Sequence, residues 1–152
     1  VLYKELCGRY PLKIIEDPFV GEHAAAWREL LKFQGFQNQA KVQKNSLVVG
    51  DDLTVTQSSL IELAAEDRLI NAVIIKPNQI GTVTEALQAV RVARARALSV
   101  IVSHRSGESC DAFIADFAVG VAADYVKFGA CQRSERLAKY NRLLEIAVQI
   151  DI

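Results

Sequence analysis

Apolar residues fall along this chain in short β-branched runs separated by longer stretches of helical period. The runs Leu12-Lys13-Ile14-Ile15, Leu47-Val48-Val49-Gly50, Ala72-Val73-Ile74-Ile75, Ser99 to Val102 and Asp124-Tyr125-Val126 predict strands. Short apolar strands of this kind suit a parallel sheet covered on both faces. The stretches between them predict helices. Val1 to Arg9 reads as the end of one, with Leu2, Leu6 and Cys7 on one face and Gly8 and Pro11 stopping it. Gly21 to Lys32 places Trp27, Leu30 and Leu31 inward. Thr56 is positioned to N-cap a helix through about Arg68. Thr82 and Glu85 have capping-box spacing, and Val83, Ala86, Leu87, Val90, Ala93 and Ala97 follow a helical period. Asp111 to Val121 and Ser134 to Ile150 complete the set, the last with Leu137, Tyr140, Leu144 and Val148 expected inside. Gln34 to Ser46, rich in Gln, Asn and Lys, reads as a solvated loop. Strand then helix, repeated, predicts an α/β fold with helical crossovers.

Polar residues gather where the strands stop. Glu16, Asp51, Lys76, His104 with Arg105, and Lys127 each lie at the carboxyl side of a predicted strand. Parallel α/β folds bind their ligands there. If the sheet curls into a barrel, the tips converge on one mouth. Two carboxylates there offer hard oxygen ligands to a divalent cation such as Mg²⁺. The stretch Ser103-His104-Arg105-Ser106-Gly107-Glu108 presents a planar guanidinium fork, an imidazole able to carry charge near neutral pH, hydroxyls and loop N–H groups. Such a set suits a small anion. A lysine crowded by other cations and shielded from water could serve as a base. Pro77 keeps Lys76 extended. A plainer reading has the carboxylates simply pairing with the lysines, each tip being a solvated loop residue. His23 reads as a surface residue, Trp27 as core and Cys110 as a packed small side chain.

A chain of 152 residues suits one domain. Its formal net charge of zero disfavours nucleic acid and anionic membrane surfaces as partners. No apolar run approaches the roughly 18 residues of a membrane span. No secretory signal opens the chain. Cys7, Cys110 and Cys131 are odd in number and far apart, so they read as reduced cytosolic thiols, not a disulfide set or zinc site. The chain begins with Val1 and has no methionine, as expected of a piece of a longer protein or a processed chain.

Several motifs, in order and over nearly all of the chain, resemble the glycolytic enolases. They are Tyr10-Pro11, Ile15-Glu16-Asp17-Pro18-Phe19, Gly50-Asp51-Asp52-Leu53-Thr54-Val55-Thr56, Lys76-Pro77-Asn78-Gln79-Ile80-Gly81-Thr82, the Ser103–Glu108 loop, and Arg133-Ser134-Glu135-Arg136-Leu137-Ala138-Lys139-Tyr140-Asn141. The resemblance implies that residues 1–152 are the C-terminal five strand–helix units of an eight-membered, TIM-like enolase barrel, without the N-terminal capping domain and first barrel strands. It implies an enzyme of the cytoplasm, a phosphopyruvate hydratase, that reversibly dehydrates 2-phosphoglycerate to phosphoenolpyruvate in glycolysis. Glu16 and Asp51 would be Mg²⁺ ligands, Lys76 the general base, Lys127 the holder of the substrate carboxylate, and Ser103, His104, Arg105 and Ser106 the cradle for substrate and phosphate. The third metal ligand, the acid that protonates the departing hydroxide and the mobile loops would lie in the missing N-terminal part. The isolated segment is therefore expected to be inactive and poorly soluble, and the full-length protein to be a homodimer.

Some positions depart from the family pattern. The connection between Gln34 and Ser46 is longer than usual, Ser109-Cys110-Asp111 follows Glu108, and Phe128 beside Lys127 puts a bulky ring near the carboxylate-binding end. Glu145, then Ala147-Val148-Gln149, alter the helix near the usual dimer contacts. An alternative reading is a non-catalytic, enolase-derived scaffold or assembly component.

Overall fold

Val48, Val49, Val73, Ile74, Val100 and Val102 are almost wholly shielded from solvent, and the runs that carry them form the middle of a five-stranded parallel sheet. The computed structural model describes residues 2–33 and 46–150, so the polar loop expected over Gln34 to Ser46 lies outside the described residues apart from Ser46. The strands β1 (Ile14–Glu16), β2 (Leu47–Gly50), β3 (Ala72–Ile75), β4 (Ser99–Ser103) and β5 (Tyr125–Lys127) lie in the order β1-β2-β3-β4-β5. The helices are α1 (Leu2–Arg9), α2 (Ala24–Leu31), α3 (Ser58–Glu66), α4 (Pro77–Ile80), α5 (Val83–Ala95), α6 (Phe113–Gly120) and α7 (Ser134–Gln149). All five strands and the longer helices stand where the hydrophobic pattern put them. The four-residue α4, opened by Pro77, was not anticipated.

Alternation along each strand makes two apolar layers. Ile15, Val48, Val73, Ile75, Val100 and Val102 pack against the helices. Leu47, Val49, Ala72, Ile74 and Ile101 form a smaller cluster on the other face. Covering on both faces holds for β2, β3 and β4. It fails for β1 and β5, where Ile14, Tyr125 and Val126 are all more than a third exposed. These two strands are the edges of the sheet, and neither has an outer neighbour among the described residues.

The sheet curls. In a flat sheet, four inter-strand steps of about 4.8 Å would separate β1 from β5 by roughly 19 Å. That is more than a lysine and a glutamate can span together. Yet Lys127 Nζ at the end of β5 lies 2.6 Å from Glu16 Oε1 at the end of β1. The expected convergence of strand tips is therefore real, and it is a half-barrel that produces it.

Two helix expectations need correction. Thr56 does not cap α3: the N-cap is Gln57, and it makes no side-chain cap bond. Thr56 instead sits at φ +62°, and its hydroxyl is engaged elsewhere, as described below. In α7 the inner face is rotated from the expected stripe. Leu137, Leu144 and Val148 are 39%, 67% and 76% exposed, whereas Lys139 and Ile146 are buried and Leu143 packs on the core. Of the expected set only Tyr140 faces inward. The cause is that Lys139 finds polar partners inside, so its stem can take a core position. Elsewhere Thr82 caps α5 as expected: its hydroxyl accepts the Glu85 N–H at 3.1 Å and donates to Glu85 Oε2 at 2.6 Å.

Candidate active site

Residues at the ends of β1, β2, β3 and β5 meet at the carboxyl side of the sheet. Lys76 follows β3 with extended backbone, φ −126° and ψ 97°, as the succeeding Pro77 requires. Its Nζ lies 2.6 Å from both carboxylate oxygens of Asp51, just past β2. Both residues are buried. Lys127 Nζ, besides its contact with Glu16, comes within 3.5 Å of Asp51 Oδ2. Two ammonium groups and two carboxylates thus form one contiguous set. The plainer reading, in which acids and lysines pair, describes these contacts accurately. Its cost separates the two pairs: Lys127–Glu16 is more than a third exposed, whereas Lys76–Asp51 is desolvated.

Neighbouring loops fix these groups from behind. Asp17, at φ +39°, accepts the N–H of Asp51 at 3.0 Å and of Asp52 at 2.8 Å. Asp tolerates this left-handed backbone better than most residues, and its carboxylate sets the turn from which the Asp51 side chain projects. Thr56 Oγ1 accepts the Lys76 N–H at 3.0 Å and lies 3.2 Å from Gln79 Oε1, so the β2–α3 connection grips the end of β3. Gly50 leaves little room here: a Cβ would sit 3.3 Å from Thr54 Cγ2 and 3.4 Å from Ile70.

Glu16, Asp17 and Asp51 bring carboxylate oxygens within 4.8 Å of one another. Both oxygens of Asp17 already accept backbone N–H groups. The partners of Glu16 and Asp51 are instead lysine Nζ groups, which a cation would displace more readily than a backbone N–H. These two therefore fit as the ligands for a hard divalent ion such as Mg²⁺, which commonly takes one or two protein carboxylates and fills its other positions with water or substrate oxygens.

The Ser103–Glu108 stretch adjoins this set. Ser103 is fully buried and its hydroxyl donates to the His104 carbonyl at 3.0 Å. The His104 N–H donates to the Lys127 carbonyl at 3.1 Å, tying the two strand ends together. Arg105 and Ser106 are exposed, and neither side chain hydrogen-bonds to the four paired groups. The structure thus brings Glu16, Asp51, Lys76 and Lys127 into contact, sets His104 beside them, and leaves Arg105 and Ser106 at the rim.

His104 differs from expectation. Burial, and then the nearby cations Arg136, Lys139 and Lys127, hold its imidazole below the usual value, against an opposing pull from Glu108. This favours the neutral imidazole, and its Nδ1 is buried with no hydrogen-bond partner among the described residues. A depressed folded-state pKa means that the unfolded chain binds the proton more readily. The His104 contribution to stability is complete above the ordinary value of 6.5 and fades as pH falls below it. Melting temperatures measured from pH 7.5 to pH 5 should therefore fall more steeply for the native sequence than for His104→Gln; parallel curves would refute the assignment.

Three further points emerge. Phe128 does not crowd the mouth: it is fully buried on the helix side, with its ring 6.0 Å from that of Tyr140, because successive residues point to opposite faces. Cys110 is exposed, not packed. His23 is exposed and Trp27 fully buried, as expected. Sequence reasoning missed the roles of Asp17, Asn78, Glu108 and Lys139. The one visible signal was that Asp17, Asn78 and Glu108 lie within two residues of a strand tip or its loop.

Comparison with known proteins bears on this geometry. The family model described as enolase, C-terminal TIM barrel domain, matches residues 1–151. The chain is 49% identical over 144 residues to the enolase of Helicobacter pylori (strain HPAG1) and 47% identical to that of Helicobacter acinonychis (strain Sheeba). Each alignment covers 95% of this chain and 32% of the relative. The chain thus spans about a third of the length of the curated relatives it matches. A family match over almost every residue, with the barrel order and motif-bearing tips described above, means that this chain belongs to the enolase family.

Proposed function

We propose that this chain is part of a working enolase, which with its N-terminal part reversibly dehydrates 2-phosphoglycerate to phosphoenolpyruvate. The observation that carries the reading is the contact set of Lys76, Lys127, Glu16 and Asp51 at converging strand tips. In it Lys76 first gives up a proton to solvent, and its neutral Nζ then removes the proton from the carbon next to the substrate carboxylate. Lys127 holds that carboxylate. His104, Arg105 and Ser106 receive the phosphate end, with Ser103 buried behind them as the base of the cradle, and Glu16 and Asp51 would hold Mg²⁺. When bound, Mg²⁺ supplies positive charge against the negative charge that proton removal builds beside the carboxylate. Hydroxide then leaves the adjacent carbon, protonated by an acid from the N-terminal part. A scaffold needs no desolvated Lys76–Asp51 pair, which favours the enzyme. Family membership supports glycolysis, the cytoplasm and a homodimer as the setting. Among the described residues, no helix is long and apolar enough to cross a membrane.

The test is turnover of 2-phosphoglycerate, followed as phosphoenolpyruvate formation. The full-length protein is expected to be active only with Mg²⁺, and residues 1–152 alone inactive. Open edges at β1 and β5, with exposed Leu144 and Val148, support poor solubility of the isolated segment. Metal-independent turnover, or activity of the segment alone, would defeat the reading.

A further inference from the structure

The Ser103–Glu108 loop has little to hold it in place by packing: Arg105, Ser106 and Gly107 are exposed, and nothing approaches the Gly107 Cβ position within 4 Å. Its far end is anchored by a buried cation. Lys139, on the inner side of α7, has no exposed surface. Its Nζ donates to the carbonyls of Ser109 at 2.9 Å, Asp111 at 3.1 Å and Glu135 at 2.8 Å. An ammonium has three protons, so these three acceptors satisfy it fully. Glu108 Oε2 lies 3.3 Å away. A charge placed this deep is tolerated only when so well partnered, and two of the three carbonyls belong to the segment that closes the loop.

Glu108 carries the effect onward. Its Oε1 accepts the Arg105 N–H at 2.9 Å and the Asn78 Nδ2–H at 2.9 Å. Partial burial works to raise its pKa, but the Arg105 N–H, Lys139 and Asn78 outweigh that and hold it below the usual carboxylate value. Asn78 lies two residues beyond Lys76 on the turn that opens α4. One carboxylate therefore links the loop of His104 and Arg105 to the turn that carries Lys76.

We propose that Lys139, acting through Glu108, is a positioning residue: it sets the distance between the anion-binding loop and Lys76 without touching substrate. The proposal rests on the enolase reading above. Removing outer partners of a binding group commonly costs roughly 10–100-fold. In the full-length protein, Lys139→Met should raise KM for 2-phosphoglycerate by about that factor, with a smaller fall in kcat. Mg²⁺ affinity without substrate, followed by Trp27 fluorescence or calorimetry, should stay unchanged, because Glu16 and Asp51 are held by other loops. Glu108→Gln and Asn78→Ala should move KM in the same direction by less, and they decide the matter if Lys139→Met does not fold. A native protein that fails to turn over 2-phosphoglycerate defeats the enolase reading. A native protein that turns over, with variants of unchanged KM or with equal losses of Mg²⁺ and substrate affinity, overturns the role of Lys139 alone.

Discussion

Lys76→Met in the full-length protein lowers kcat by about 10²–10⁴-fold, the usual contribution of a positioned general base, while Mg²⁺ still binds. Methionine matches the apolar stem of lysine as far as Cε, so the packing of β3 against its neighbours is retained. What disappears is the Nζ, which lies 2.6 Å from both Asp51 oxygens. Removing that ammonium leaves the buried Asp51 carboxylate unpaired, so the variant is expected to be less stable without metal and to bind Mg²⁺ with equal or higher affinity. The decisive readout is exchange of the substrate proton next to the carboxylate with deuterated solvent. It should be lost with kcat. Exchange at the native rate, despite slow turnover, would show that another group removes the proton.

Asp51→Asn has the second large effect, and it acts on stability as well as on activity. Lys76 and Asp51 are 9% and 6% exposed, so losing the carboxylate strands an ammonium in a desolvated place. Breaking a buried pair from one side costs about 3–5 kcal/mol. The variant should therefore melt well below the native protein and bind Mg²⁺ weakly. Glu16→Gln is the control. Its pair with Lys127 is 35% and 42% exposed, and exposed pairs contribute about 0–1 kcal/mol. It should lose metal affinity with little loss of stability. Chemical denaturation of both variants checks the contrast; equal destabilisation would mean that burial does not distinguish the two pairs.

These contrasts follow from features of unequal legibility. Glu16, Asp51, Lys76 and Lys127 could be read from sequence because a strand end is a local property. Parallel order then brings every end to the same side. Their pairing needed only that the sheet curl. Asp17 could not be read in the same way. Its task, accepting two N–H groups of the neighbouring turn, depends on the β1–β2 register that sets Glu16 against Val49. Thr56 looked like a helix cap because its type and spacing suit one, but tertiary contacts with Lys76 and Gln79 claimed its hydroxyl. Phe128 looked obstructive only until the strand alternation placed it on the helix side.

The face of α7 was misread for a related reason. A helical period picks out Leu137, Leu144 and Val148 as an apolar stripe, and a charge at Lys139 argues against that side facing inward. The partners that make its burial tolerable come mainly from a loop 28–30 residues earlier. Long polar side chains satisfied by distant carbonyls are invisible to periodicity. The exposed faces of β1 and β5 were equally unreadable from the strands themselves, since edge and centre differ only in what lies alongside.

The most direct measurement is a crystal structure of the full-length protein with Mg²⁺ and a phospho-enolate analogue. The account predicts metal on Glu16 and Asp51, Lys76 Nζ facing the carbon that loses its proton, Lys127 on the carboxylate end and the phosphate at Ser103 to Ser106. Metal and analogue held elsewhere, with Lys76 still closed on Asp51 and turned from the ligand, would contradict it.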